Sequence, residues 1–277
     1  MTRKELVNHS IDYIMQHLGE EISIEDVADH CHLSKYYFSR IFKAETGESV
    51  YAFIKRLKME QSAISIKLEK HKSITHIGVD YGYSSSNYSS AFKKQHSISP
   101  AEFRRSMSAA SIPHPFYPNK FTTFQSFEEY AQRIQIKELD DFVVIYERHI
   151  GNYLELEKNW FEFIEKHKDY LKKDTLLIER FYDDPSITRV DQCMYDICMT
   201  VKEGFLTDQA TTIQGGKFAV YRFEGLVQDI FVALQGFFKV WLADSGYEMD
   251  ERYGLDIYRE IDRENKRVIM DLCIPIK

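Results

Sequence analysis

Apolar residues recur at helical spacing through the first hundred positions, and the pattern repeats fifty residues on. An opening amphipathic segment turns Leu6, Val7, Ile11, Ile14, Met15 and Leu18 to one side. Then Ile24, Val27, Ala28, Leu33, Ser34, Phe38, Ser39, Phe42, Lys43, Ser49 and Phe53 line up with Ile74, Ile77, Gly78, Tyr83, Ser84, Tyr88, Ser89, Phe92, Lys93, Ser99 and Phe103. Each copy predicts a short helix, a tight turn and a longer helix with an apolar inner stripe. The second turn reads as one residue shorter than the first. Ser23 with Asp26 forms a capping-box pattern, Ser34 and Ser84 stand at N-cap positions, and Ser99-Pro100 opens another helix. A long helix over about Val50 to Leu68 is expected between the copies.

Opposite each stripe lies a donor-rich face. In the first copy it holds Lys35, Tyr36, Ser39, Arg40 and Lys43; in the second, Ser85, Ser86, Ser89, Ser90, Lys93 and Lys94. A helix-turn-helix presents such a face to the major groove of double-stranded DNA. Arg40 has the geometry to read a base or nearby phosphate, and the serines with Lys93 and Lys94 suit phosphate positioning. A solvated polar face is the plainer reading of any one such run; the repeat is what favours DNA.

These residues resemble the arabinose-regulator (AraC/XylS) family of transcription factors over about residues 1–107. The match rests on Val27-Ala28, Leu33 through Lys43, Gly47, Arg56, Ala63, Ile74, Ile77, Gly82-Tyr83, Phe92-Lys93-Lys94, Ser99-Pro100 and Phe103-Arg104. Gly78 stands where that family usually has Ala, and Ser97 where it usually has Gly. The resemblance implies contact with two successive major grooves.

After residue 108 the period changes. Three of the six prolines, Pro113, Pro115 and Pro118, fall within six positions, which predicts a linker over 109–120. Beyond it, strands are expected at Phe142–Tyr146, Leu176–Ile178 and Tyr195–Val201, with a turn at His149–Tyr153 and a helix over Leu154–Leu171. An echo follows: strand Lys217–Glu224, a turn at Gly225, helix Val227–Leu242, and strands Leu255–Tyr258 and Val268–Ile274. The fold class is therefore two domains. An all-α double helix-turn-helix (1–108) is followed by an α+β domain (121–277) with an antiparallel sheet and two helices in a pseudo-duplicated arrangement.

This second part resembles the GyrI-like effector-binding domain. The matching stretches are His149-x-Gly151-x-Tyr153, Tyr182-Asp183-Asp184-Pro185, Tyr195-Asp196, Gly215 through Val220, Trp241-Leu242, Asp256-x-Tyr258 and Ile274-Pro275. The resemblance implies a small-molecule effector, an aromatic or amphipathic cation in the multidrug-sensing members. It would be held by an acidic residue, here Asp256, among Tyr153, Trp160, Tyr195, Phe237, Trp241 and Tyr258. Aromatic faces attract cations, but aromatics at helical spacing also simply pack cores. An acid in an apolar strand is harder to assign to packing, unless Arg259 caps it or the strand is an edge.

Charge and chemistry narrow this picture. Residues 1–108 hold 15 Lys and Arg against 13 Asp and Glu, and the remainder 21 against 30, so the net charge of −7 comes from the second part. Phosphate binding must then come from local placement of cations. The four cysteines, Cys31, Cys193, Cys198 and Cys273, show neither CxxC nor zinc spacing, and Cys193 and Cys198 read as core. No nucleophile–His–acid arrangement, phosphate loop or HExxH pattern is present, and His149 reads as a surface residue. The expectation is a cytoplasmic, non-enzymatic regulator with no cofactor, metal or membrane segment. The rivals are a second domain that binds a protein such as RNA polymerase, a hydrolase fused to a DNA-binding domain, and a DNA- or topoisomerase-interaction protein without transcriptional output.

Overall fold

The computed structural model describes residues 2–107, 114–117, 123–151, 153–202, 210–250 and 252–277, and the statements below concern these. Contacts divide the chain into two compact units, Met1–Ala109 and Ala110–Lys277. Pro113 and Pro118, with most of the expected linker, lie outside the described residues, as does Asn152.

The first unit is helical: α1 (Arg3–Gln16), α2 (Ile24–His30), α3 (Lys35–Thr46), α4 (Val50–Leu68), α5 (Ile74–Asp80), α6 (Ser85–His96) and α7 (Pro100–Met107). The fifty-residue repeat extends to side-chain geometry. The rings of Phe38, Phe42 and Phe53 meet in sequence, tilted or edge-on, at 5.6 and 5.3 Å, and those of Tyr88, Phe92 and Phe103 edge-on at 5.7 and 5.4 Å. The turns repeat as well. Leu33 N–H donates to the Ala28 carbonyl and Tyr83 N–H to the Gly78 carbonyl, both at 2.9 Å. His32 and Gly82 take the same left-handed conformation, φ 55° and 79°. The two turns are thus equal in length, which corrects the expectation of a shorter second one.

Capping follows the sequence except at one place. Ser23 with Asp26 closes a reciprocal box, and Ser34 and Ser49 accept from their helices. Ser84 occupies the N-cap position of α6 but makes no side-chain cap bond; its hydroxyl lies 3.5 Å from that of Ser86.

The second unit holds α8 (Phe127–Arg133), α9 (Leu156–His167) and α10 (Ile230–Gly236), with one eight-stranded antiparallel sheet. Its strands are β1 (Ile134–Leu139), β2 (Phe142–Ile150), β3 (Leu177–Phe181), β4 (Met194–Thr200), β5 (Ala210–Ile213), β6 (Gly216–Leu226), β7 (Gly254–Asp262) and β8 (Arg267–Pro275). The order is β1-β6-β8-β7-β3-β4-β2-β5. A 3-10 turn, Tyr153–Glu155, leads into α9, and α10 continues as a π-helical turn, Phe237–Leu242. The expected turn at His149 begins later, because β2 runs on through Ile150. Likewise Gly225 lies inside β6.

Two connections explain how the sheet curls. Asp140–Asp141 joins β1 to β2 and Gln214–Gly215 joins β5 to β6, yet each pair lies at opposite ends of the strand order. Two residues span only about 10 Å, so the ends of the sheet must approach each other. The enclosed face is an apolar core that includes Val144, Ile178, Cys198, Ile213, Phe218, Val220, Leu255, Ile257 and Cys273. The other face carries the helices. Trp160 and Phe163 of α9 pack on Ile145, Tyr195, Ile197 and Met199, and Phe237 lies 6.0 Å from Tyr221 of β6.

Candidate functional site

Cross-strand partners point to the same face of a sheet. One row crosses the helix-bearing face: Tyr221 of β6, Leu272 of β8, Asp256 of β7, Glu179 of β3 and Ile197 of β4. Tyr221 lies beneath Phe237, at the end of α10, and Ile197 beneath α9. The two acids in the middle of the row are direct neighbours on adjacent strands, between the two helices. Both are buried, at 3% exposure for Glu179 and 6% for Asp256.

Burial withholds water from both carboxyls. It pushes Glu179 up to about 7, with Tyr258 and Tyr153 hydrogen bonds pulling the other way. Asp256 is raised well above its ordinary value by burial and by the neighbouring Glu179. Like charges this close resist joint ionisation. The Tyr258 hydroxyl donates to Glu179 at 3.0 Å, whereas Asp256 Oδ1 has no hydrogen-bond partner among the described residues. Arg259 does not cap it; that side chain pairs with Asp271 at 2.8 Å. Nor is the strand an edge, since β7 lies between β8 and β3.

Aromatic rings surround the pair. Tyr153 stacks on Tyr195 at 4.6 Å, and Trp160 meets Tyr258 edge-on at 5.4 Å. The His149 ring stacks on Tyr195 at 5.5 Å, and Asn159 donates to the Tyr195 hydroxyl at 2.8 Å. Five of the expected residues, Tyr153, Trp160, Tyr195, Asp256 and Tyr258, are thereby brought together. Phe237 and Trp241 lie on the π-helical turn, against Tyr221 and Tyr247. Glu179 was not expected from sequence. Its signal is an acid inside the apolar run Leu176-Leu177-Ile178-Glu179, the same signal that marks Asp256.

On the enclosed face, Asp196 is clamped by Arg148 at 2.8 Å, Arg180 at 2.5 Å and the Tyr182 hydroxyl at 2.6 Å. The two guanidiniums overcome the cost of burial and hold its carboxyl down at about 2. This cluster ties β2, β3 and β4 together and leaves Asp196 fully paired. The asymmetry with Asp256 is chemical: one buried acid is neutralised by the fold, and the other is not.

In the first unit, Lys35, Tyr36, Arg40 and Lys43 of α3 are exposed and Ser39 is half-buried; Ser85, Ser86, Ser89, Ser90, Lys93 and Lys94 of α6 are exposed. Tyr36 is 81% exposed, a large ring on the outer face of α3. Lys35 pairs with Glu25 of α2, and Arg40 lies over the Tyr37 ring at 5.4 Å. The donors therefore stand on the outward faces of the second helix of each repeat. Among the described residues there is no cluster of metal-ligating side chains, and no helix is long and apolar enough to cross a membrane. The four cysteines are free and buried.

Comparison with known proteins agrees with this division. A GyrI-like small-molecule-binding domain model matches residues 132–277, and a helix-turn-helix domain model matches 27–106. The Right origin-binding protein of Escherichia coli (strain K12) is 24% identical over an alignment spanning 100% of both chains. Transcriptional regulator Rob of Salmonella typhimurium is 31% identical over 44% of this chain and 43% of its own. Among solved structures, the EcmrR C-terminal domain aligns with a TM-score of 0.45 at 13% identity, covering 52% of this chain and 96% of that one. The chain belongs to the GyrI-like small-molecule-binding family, with that domain joined behind the double helix-turn-helix of an AraC-type DNA-binding transcriptional regulator.

Proposed function

We propose that the second unit senses an organic cation with an aromatic or amphipathic body, and that its binding changes how the first unit holds DNA. The observation that carries this reading is the adjacent buried pair Glu179 and Asp256, with Asp256 Oδ1 unpartnered beside the rings of Tyr153, Trp160, Tyr195 and Tyr258. Leaving a buried carboxyl unsatisfied is costly. A cation between the acid and the ring faces would relieve that cost and add the quadrupole attraction of the aromatics, about 0.5 to 2 kcal/mol. The outward donors of α3 and α6 serve the DNA side, Arg40 in base reading and Lys93 and Lys94 on phosphate.

Phenyltrimethylammonium and its carbon isostere tert-butylbenzene differ in charge and hardly in shape. Full-length protein should bind the cation at least about tenfold more tightly, a difference of about 1.4 kcal/mol. Asp256→Asn keeps the shape, removes the charge and should abolish most of that preference. Equal binding of the pair by the unmodified protein, or binding of neither, contradicts the cation reading.

A further inference from the structure

The segment that follows the DNA-binding unit in the chain returns to the effector region through one aromatic side chain. Phe116 lies 5.9 Å from Tyr153, at the entry to α9, and 6.3 Å from Phe231 of α10. It therefore bridges the two helices that flank the carboxyl pair. His114 anchors this bridge. Its ring is buried, lies 4.9 Å from Phe231, and contacts the Gln228 carbonyl through Nε2 at 3.2 Å. Its Nδ1 accepts the Phe116 N–H at 3.2 Å. The two bonds fit one tautomer, with the proton on Nε2.

We infer that Phe116 forms a wall of the effector site and is the residue through which occupancy of that site reaches the chain leading to the DNA-binding unit. The path is short. Tyr153 lies within electrostatic reach of Glu179, stacks on Tyr195 and meets Phe116. A guest placed against Glu179 and Asp256 competes for the Tyr153 ring, and a shift of that ring alters its contact with Phe116. Buried contacts shift between discrete packings more readily than they deform. Residues 114–117 would then be held in one of two positions, according to whether the site is filled. The inference rests on the cleft reading above for its ligand but not for its path.

Two readouts on the full chain separate them. With a DNA site selected from a random pool, phenyltrimethylammonium should change the affinity of the unmodified protein by about fivefold or more. In Phe116→Ala DNA alone should bind unchanged, and the cation, which loses one wall of its site, is supplied at a concentration shown by titration to saturate that variant. The cation-dependent change should fall below about twofold. Phe116→Leu, which retains most of the volume, guards against a folding failure and should lose most of the coupling as well. Retained coupling in both variants overturns the inference. The second readout needs no ligand. Hydrogen exchange of the Phe116 amide should change at least about threefold in Glu179→Gln, because the charge facing Tyr153 is removed. An unchanged rate overturns the path. A changed rate without cation binding upholds the path and refutes the cation reading.

Discussion

Asp256 and Glu179 differ from the other buried acids among the described residues of the second unit, of which Asp183 accepts from the Met194 N–H and the Thr188 hydroxyl. Asp196 has two arginines and a tyrosine, and Asp271 has Arg222 and Arg259. Asp256 and Glu179 have tyrosines and each other. The pair is consequently a pH-sensitive element. Glu179 titrates at about 7 in the folded state and near 4.5 when exposed, so between about pH 4.5 and 7 the folded chain keeps a proton that the unfolded chain has released. Stability then falls as pH rises through this window. Asp196, held at about 2, stays ionised throughout and adds no slope. His167, lowered by burial, works in the opposite direction, so the contribution is isolated by difference. Glu179→Gln should be more stable than the unmodified protein at pH 8 by about 1 to 3 kcal/mol and gain little at pH 5. Thermal unfolding across the window measures this, and parallel curves for the two proteins would contradict it. Asp256 was legible in sequence because it interrupts an apolar strand two residues before a tyrosine. Glu179 was equally marked but had no recognised motif around it, and only the strand pairing reveals that the two acids are cross-strand neighbours.

The helices and strands show the same mixture. The helical repeat was readable almost to the residue, since its apolar spacing and serine caps are local signals. Two of its departures now have physical reasons. Ala28 and Phe38 of the first copy correspond to Gly78 and Tyr88 of the second. A Cβ at Gly78 would lie 2.7 Å from the Tyr88 ring, so the glycine makes room for the aromatic. Gly78→Ala should destabilise the first unit by about 1 to 3 kcal/mol, the usual cost of overpacking; an unchanged melting temperature would show that the ring yields freely. Ser97 ends α6 with φ 65°, where its counterpart Gly47 ends α3 with φ 79°. Ser97→Gly should therefore stabilise by about 0.5 to 1 kcal/mol, read in urea unfolding. In the second unit, α8, β1 and β5 escaped the sequence reading. β5 has four residues and lies at the sheet edge, and β1 is half-exposed, so neither carries a long apolar run. The pseudo-duplication was visible as an echo of strand, helix, strand, strand. What it builds was not: equivalent strands β3 and β7 pair at the centre of the sheet, which sets the acid of one half beside the acid of the other.

At the scale of the whole molecule, acidity is concentrated in the ligand-binding half. The DNA-binding half carries a small positive excess, and five of its fifteen Lys and Arg stand on α3 and α6. The division fits the proposed function, with phosphate contacts in one half and a cation in the other. It also makes the two activities thermodynamically reciprocal if the second unit controls the first. A cation that changes DNA affinity by some factor must have its own affinity changed by the same factor when DNA is bound. The decisive measurement is this cycle on the full chain: phenyltrimethylammonium affinity with and without a saturating selected DNA site, beside DNA affinity with and without saturating cation. A cation-sensing regulator predicts two equal factors of about five or more, both collapsing to about one in Asp256→Asn while DNA binding alone persists. Factors of one in the unmodified protein, with both ligands bound, would contradict it.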